Sequence, residues 1–293
     1  MTSLLHRSSR IPSLAAFFLL AGFLVVLSAR GYAETTPLLV ASSLLMFGCC
    51  WTSAIHLLGS RAALALVLIA MSVGWIAEQL GATLGWFFGD YHYTAVLGPR
   101  LLAVPVVIPM MWFALSYCGY VIANLIVWQA PVAPNASTGM TVLMSVVGAM
   151  VVTCYDLGVD PYMVYVLKAW IMARTDGWWF GETIQGFAGW MIVAFAIGLP
   201  FRLLLRRRPA APSRPPTTRH LLVPLSVYAG LMVFQVCLGD PHEARTIALF
   251  AMGFPLLTAA CGLLRWRAAQ RQAAPAADER VAATPSAALK EAA

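Results

Sequence analysis

The stretch Ala62-Ala-Leu-Ala-Leu-Val-Leu-Ile-Ala-Met-Ser-Val-Gly-Trp-Ile-Ala-Glu78-Gln-Leu-Gly-Ala-Thr-Leu-Gly85-Trp-Phe-Phe-Gly-Asp90-Tyr-His-Tyr93 decides how the chain is read. Its first part is an uninterrupted apolar run, long enough to cross a bilayer as a helix. Near its end stands one carboxylate, Glu78. Gly74, Glu78, Gly81 and Gly85 recur at a 4-3-4 spacing and share one helix face. Glycines on such a face let another backbone approach closely. An ionisable group there is expensive, which makes it a functional-site hypothesis by default. The alternative is a helix-end cap, or a partner for an arginine near the membrane interface.

Working outward, the whole chain has the same character. Its 293 residues are 60% hydrophobic and 11% charged, with a mean hydropathy of +0.78. A soluble domain would be about a quarter charged. The apolar runs are long and continuous, so an all-α polytopic bundle is expected rather than a barrel. About eight spans emerge, at 11–29, 37–58, 62–85, 101–128, 140–156, 185–205, 221–238 and 246–264. Together they make one integral membrane domain over 1–267, with an Ala-rich tail at 268–293 expected to be disordered. The first run reads as a retained span; a signal peptide cut near Gly31-Tyr32-Ala33 is the alternative. Pro105 and Pro109 are expected to bend the fourth span, and Pro131–Gly139 to form a turn. Residues 86–99 read as a re-entrant or interfacial aromatic loop, and 162–184 as an amphipathic interfacial helix followed by a loop.

The net charge of +7 is membrane-flanking and gives no signal for nucleic acid. Arg7, Arg10, Arg61, the arginines from Arg202 to Arg219, Arg265, Arg267 and Arg271 fall on one side of an eight-span topology. The other side holds Arg30, Arg100, Lys168, Arg174 and Arg245. The positive-inside rule then places both termini in the cytoplasm of a multi-pass cell-membrane protein. The acids outside the tail (Glu34, Glu78, Asp90, Asp156, Asp160, Asp176, Glu182, Asp240 and Glu243) all fall at or near the outer end of a span or in an outer loop. One acidic, aromatic-rimmed cavity near the outer leaflet is the expectation. The six cysteines show no CxxC spacing and read as buried free thiols. His92 lies alone between two tyrosines, a pattern more typical of local hydrogen bonding than of a ligand. No phosphate loop, dinucleotide fingerprint, HExxH or GxSxG occurs.

Asp156 and Asp160 stand four apart, one helical turn. Two carboxylates so placed repel each other, which keeps a proton on one of them. Pro161 disfavours helical geometry at Asp160, so a turn with solvated aspartates is the alternative. A magnesium site for diphosphate would need a second Asp-rich motif, and none is present. Two aromatic clusters accompany these acids: Trp75, Trp86, Phe87, Phe88, Tyr91 and Tyr93, then Trp178, Trp179, Phe180, Phe187 and Trp190. They are either an interfacial belt or a slot for a long flat hydrocarbon, with ring faces able to stabilise a cation.

Glu78-x-x-Gly81-x-x-x-Gly85-x-Phe87-Phe88-Gly89-x-Tyr91-x-Tyr93, with Gly98 and Pro105 after it, resembles the carotenoid biosynthesis proteins of the CruF type. Asp156-x-x-x-Asp160-Pro161 and Trp178-Trp179-Phe180-Gly181…Phe187-x-Gly189-Trp190 extend the likeness in the same order. The family usually has Gly, an aliphatic residue and Pro after the aromatic pair, and Asn before the last Phe. Here Glu182 and Thr183 follow Gly181, and Gly186 precedes Phe187, so a role for that Asn does not carry over. Glu182 supplies a different polar group.

The resemblance implies a carotenoid 1,2-hydratase, a hydro-lyase that adds water across the terminal C1=C2 bond of an acyclic (ψ) end group. Related archaeal members act on fifty-carbon precursors. The substrate would be lycopene- or γ-carotene-like, and other carotenoid-pathway enzymes are possible neighbours. Such chemistry needs a proton donor, a positioned water and cation-tolerant walls, with no metal and no redox cofactor. A carboxyl buried in apolar surroundings stays protonated near neutral pH. On this view Glu78 or Asp156 donates the proton, and the other, with Asp160, orients the water. Tyr91, Tyr93, Trp86, Phe88, Trp179 and Trp190 line the end-group pocket. A membrane prenyltransferase or carotenoid cyclase, and a non-enzymatic carotenoid-binding or transport protein, are the alternatives. A transporter should show an internal repeat with paired broken helices, and none is evident.

Overall fold

The computed structural model describes residues 11–132, 136–212 and 215–283, the stretch from 273 onward by its backbone alone. The basic residues Arg7 and Arg10, part of the Pro131–Gly139 turn and the end of the tail lie outside the described residues. Among the described residues, eight helices are long and apolar enough to cross a membrane. They are α1 Ile11–Arg30, α2 Thr36–Leu58, α3 Ser60–Leu84, α4 Val107–Val127, α5 Thr138–Pro161, α6 Ile184–Arg207, α7 Thr218–Leu238 and α8 His242–Ala283. α8 thus continues past Arg267, where the membrane domain was expected to end.

α4 is the axis of the bundle. Of its most apolar window 78% is buried, against 17% for α1. The sequence explains this: α4 is apolar on every side, from Val107 to Leu125, so it must be surrounded. It packs on α2, α3, α5, α7 and α8. Gly119 on α4 faces Gly148 on α5, where an added Cβ would meet the Gly148 carbonyl at 2.9 Å. Cys49, Cys50 and Cys118 are buried free thiols as expected, whereas Cys237 and Cys261 are exposed.

Pro105 and Pro109 do not bend a span. Pro105 closes the short strand β3 (Val104–Pro105), which pairs with β2 (Arg100–Leu101). The helix begins only at Val107, so Pro109 sits in its first turn. A missing N–H costs nothing there, because that group has no helical acceptor.

The segments on either side of the spans form one small cap. Gly85 ends α3 in the left-handed conformation (φ 69°), and Phe87 (φ 62°) and Gly89 (φ 90°) continue the reversal. The chain then enters strand β1, Tyr91–Tyr93, with both tyrosines buried and His92 exposed. Its partner is β4, Trp170–Met172, antiparallel, with Tyr91 opposite Met172 and Tyr93 opposite Trp170.

This corrects the interfacial helix expected over 162–184. Tyr162–Val166 form one π turn that prolongs α5. Lys168 then takes φ 51°, β4 follows, and Gly177 and Gly181 close a tight hairpin by exchanging backbone hydrogen bonds of 3.0 and 3.1 Å. Trp170 and Met172 turn inward while Ile171 is exposed, which is a period of two.

α5 also runs further than expected. Both Asp156 and Asp160 are helical, and Pro161 sits inside the helix at φ −55°, ψ −40°. Pro161 provides no N–H for the carbonyl of Leu157 four residues back. The indole Nε1 of Trp179 donates to that carbonyl instead, at 3.0 Å.

Candidate functional site

The ends of α3 and α5, the starts of α4 and α6 and the β1–β4 cap meet around a cavity. Its organising group is Glu78, which is only 6% exposed. The phenol of Tyr91 donates to Glu78 Oε2 at 2.5 Å and that of Tyr93 to the same oxygen at 2.6 Å. The indole Nε1 of Trp112 donates to Oε1 at 2.8 Å. Three donors converging on one carboxyl is an arrangement that suits its ionised form.

The glycine spacing on α3 is what admits these donors. A Cβ at Gly74 would stand 2.7 Å from Trp112 Cδ1, and one at Gly81 would stand 3.0 Å from the Phe88 ring and the Tyr91 hydroxyl. The face was expected to receive another backbone. Around Glu78 it receives aromatic rings. The alternation of β1 aims both tyrosines at the same carboxyl, since residues two apart point to one side. Burial is the main cause that pushes both phenols well above their ordinary value of 10, and the Glu78 charge adds to it. They therefore remain O–H donors at neutral pH.

A second acidic group faces the same space. Asp160 lines the cavity with Glu78. Its carboxyl lies close enough to the Glu182 carboxyl for the two to interact. Glu182 sits in the hairpin ahead of α6 and is buried. Burial lifts its carboxyl above the ordinary carboxylate range, and the contact with Asp160 works the other way. Two carboxyls can hydrogen-bond only if a proton lies between them. Asp156, one turn back on α5, is 0% exposed, and neither of its oxygens has a hydrogen-bond partner among the described residues.

The remaining wall is apolar and aromatic. Trp112 and Trp190 lie with ring centroids 4.5 Å apart. Phe88 approaches Trp112 at 6.4 Å and Tyr93 approaches Trp170 at 6.0 Å. Met111, Met163 and Met172 complete the lining. Methionines and ring faces make an adaptable, polarisable surface that tolerates positive charge.

Of the residues singled out from the sequence, Glu78, Asp160, Phe88, Tyr91, Tyr93 and Trp190 come together on the wall. Asp156 lies behind it. Trp86 is 56% exposed, and Trp179 is engaged with Leu157 outside the cavity. Trp112 and Trp170 were not anticipated as wall residues. Gly74 was a usable signal for Trp112, since an open place on the Glu78 face must be filled by something large. Among the described residues, no three His, Cys, Asp or Glu side chains are grouped as a metal site.

The fold and this cavity define a class: a multi-pass membrane protein with an acid-bearing, aromatic-walled chamber suited to an apolar ligand. The chain matches the carotenoid biosynthesis protein family over residues 37–257 and belongs to it. It is also similar to the bisanhydrobacterioruberin hydratase of Haloarcula japonica, at 32% identity over 158 residues. That match covers 52% of this chain and 50% of the relative, so the chain spans about half the length of the curated relative it matches. No solved structure matches the chain.

Proposed function

We propose that this protein is a carotenoid hydratase that adds water across the terminal C1=C2 double bond of an acyclic (ψ) end group, leaving a tertiary alcohol. The observation that carries the proposal is the pairing of two unlike carboxyl sites on one apolar cavity. Glu78 accepts three hydrogen bonds, whereas Asp160 lies against the buried carboxyl of Glu182. Carboxyls whose surroundings differ in this way divide acid and base roles between them. The family and the hydratase relative support the same reading.

The hydrogen bonds redistribute the roles expected from the sequence. Asp160 is assigned as the general acid, with its proton shared with Glu182. It delivers that proton to C2 of the alkene, and the π pair becomes the new C–H bond. The positive charge is left on tertiary C1, facing the aromatic wall and the Glu78 carboxylate. Water attacks C1, forming the C–O bond, and gives its extra proton to Glu78. Transfer of that proton back to the Asp160–Glu182 pair restores the site, so the sum is alkene plus water to alcohol. Asp156 is assigned a supporting place behind the wall. Acid–base catalysis of this kind is worth about 10²–10⁴-fold, and positioning adds more.

The test is expression in a bacterial host that accumulates lycopene or γ-carotene, followed by chromatography with mass detection. The expected product is a more polar pigment heavier by one or two waters, with an unchanged visible spectrum, because the terminal alkene lies outside the conjugated chain. A pigment of unchanged mass would instead indicate a cyclase. Unaltered pigment, with the protein present in the membrane, would refute hydration of these substrates.

A further inference from the structure

A second cavity lies at the opposite end of the bundle. It is formed by the last turns of α4 and α6 and the first turns of α5. Arg202 lines it and is only 6% exposed. Its Nη1 donates to Asn124 Oδ1 at 2.9 Å, its Nη2 to the Tyr120 carbonyl at 3.5 Å, and its guanidinium lies 4.5 Å above the Tyr120 ring. The orientation of Asn124 is fixed in turn by its Nδ2 donating to the Pro131 carbonyl at 3.2 Å.

These partners aim the guanidinium, but all of them are neutral. The ion pairs among the described residues are Arg30–Glu34 and Arg174–Asp176, and Arg202 belongs to neither. A buried cation without a counter-charge is costly within a membrane span. Two further donors face the same space. Arg206, one turn along α6, lines the cavity and donates to Thr138 Oγ1 at 2.9 Å. The indole Nε1 of Trp128 is buried there with no hydrogen-bond partner among the described residues. Met144 and Leu205 supply an apolar side to the cavity.

We infer that this cavity binds a phosphate-bearing anion, held between Arg202, Arg206 and the Trp128 indole. Guanidinium forks match the several oxygens of a phosphate. Basic pockets between membrane helices take phospholipid headgroups, and the apolar side fits the glycerol and upper acyl chain of such a lipid. Free phosphate has the same headgroup chemistry without that apolar part. The inference is independent of the reaction proposed above, which uses the other end of the bundle.

The experiment is native mass spectrometry of the full chain in a neutral detergent, titrated with phosphatidylglycerol, with phosphatidylcholine and with inorganic phosphate. Selective retention of phosphatidylglycerol assigns the site to a lipid headgroup, and retention of inorganic phosphate alone assigns it to the free anion. Arg206→Gln should weaken binding about fivefold, the usual effect of one basic residue on an anionic lipid. Arg202→Gln should weaken it by about tenfold or more, given its charge-assisted geometry. Arg207→Gln, an exposed arginine off the cavity wall, should leave it unchanged. Because R202Q alters a buried group and is open to misfolding, R206Q against R207Q is the deciding pair. Equal retention of both lipids without phosphate uptake, or equal weakening by R206Q and R207Q, would overturn the inference.

Discussion

Trp179 and Leu157 are joined by a hydrogen bond that replaces one a proline removes. The indole N–H reaches, at 3.0 Å, the carbonyl that Pro161 leaves without a helical donor. That contact allows α5 to continue through Asp160 to the π turn, and so places Asp160 on the cavity wall. Trp179→Phe keeps the ring and deletes the donor. It should cost about 1–3 kcal/mol, the range for a buried acceptor left unpaired. Thermal unfolding in detergent checks this. Activity per folded molecule should be reduced less than by any change at Glu78, because Trp179 does not touch the cavity.

Gly74 tests how the Glu78 pocket is assembled. A Cβ there would stand 2.7 Å from the Trp112 ring. Gly74→Ala should therefore displace the indole from Glu78 Oε1 and cost about 1–3 kcal/mol, as overpacking typically does. Loss of tryptophan fluorescence quenching or a shifted emission, together with a lowered melting temperature, would report the displacement.

The two carboxyls should fail differently. Glu78→Gln keeps the size of the side chain, but its amide places a donor opposite either Trp112 or the two tyrosines. Product formation should fall by about 10²-fold or more, with insertion in the membrane unchanged. Asp160→Asn should fall comparably, since it removes the assigned acid. Asp156→Asn, behind the wall, should retain measurable turnover. Pigment yield normalised to membrane-bound protein measures all three.

Glu182 gives the pH dependence. Burial raises its carboxyl above the ordinary range, so the proton it shares with Asp160 is held below that raised value and lost as pH climbs through it. Turnover should decline on the alkaline side as that proton is lost. In Glu182→Gln the decline should move to lower pH, because Glu182 no longer holds a proton with Asp160. A pH–rate profile on isolated membranes reads the decline in both proteins. An unchanged profile would remove Glu182 from the proton path.

The spans were legible because crossing a bilayer demands long apolar runs, and Glu78 was legible because a carboxylate in such a run is rare. The aromatic motif after Gly85 also announced itself, and β1 brings Tyr91 and Tyr93 to the carboxyl that precedes them by about four helical turns' worth of sequence. Other parts depend on distant residues. Trp112 lies in a helix buried on all sides, where a tryptophan has no distinctive pattern. The continuation of α5 past Pro161 rests on Trp179, remote in sequence. Strand β4 is three residues long and needs β1 to exist at all. That Asp160 rather than Asp156 reaches the wall depends on the elements packed around α5, which a spacing of four does not specify.

The most direct measurement is the source of the atoms in the product. Membranes containing the protein are incubated with an acyclic ψ-end carotenoid in heavy-oxygen water, and separately in deuterated water. Hydration at this site should place one heavy oxygen on the tertiary alcohol at C1 and one deuterium at C2, and the yield of doubly labelled product should fall by about 10²-fold or more in Glu78→Gln and Asp160→Asn. Product oxygen that carries no label from water, or an undiminished yield of labelled product in both variants, would contradict the assignment.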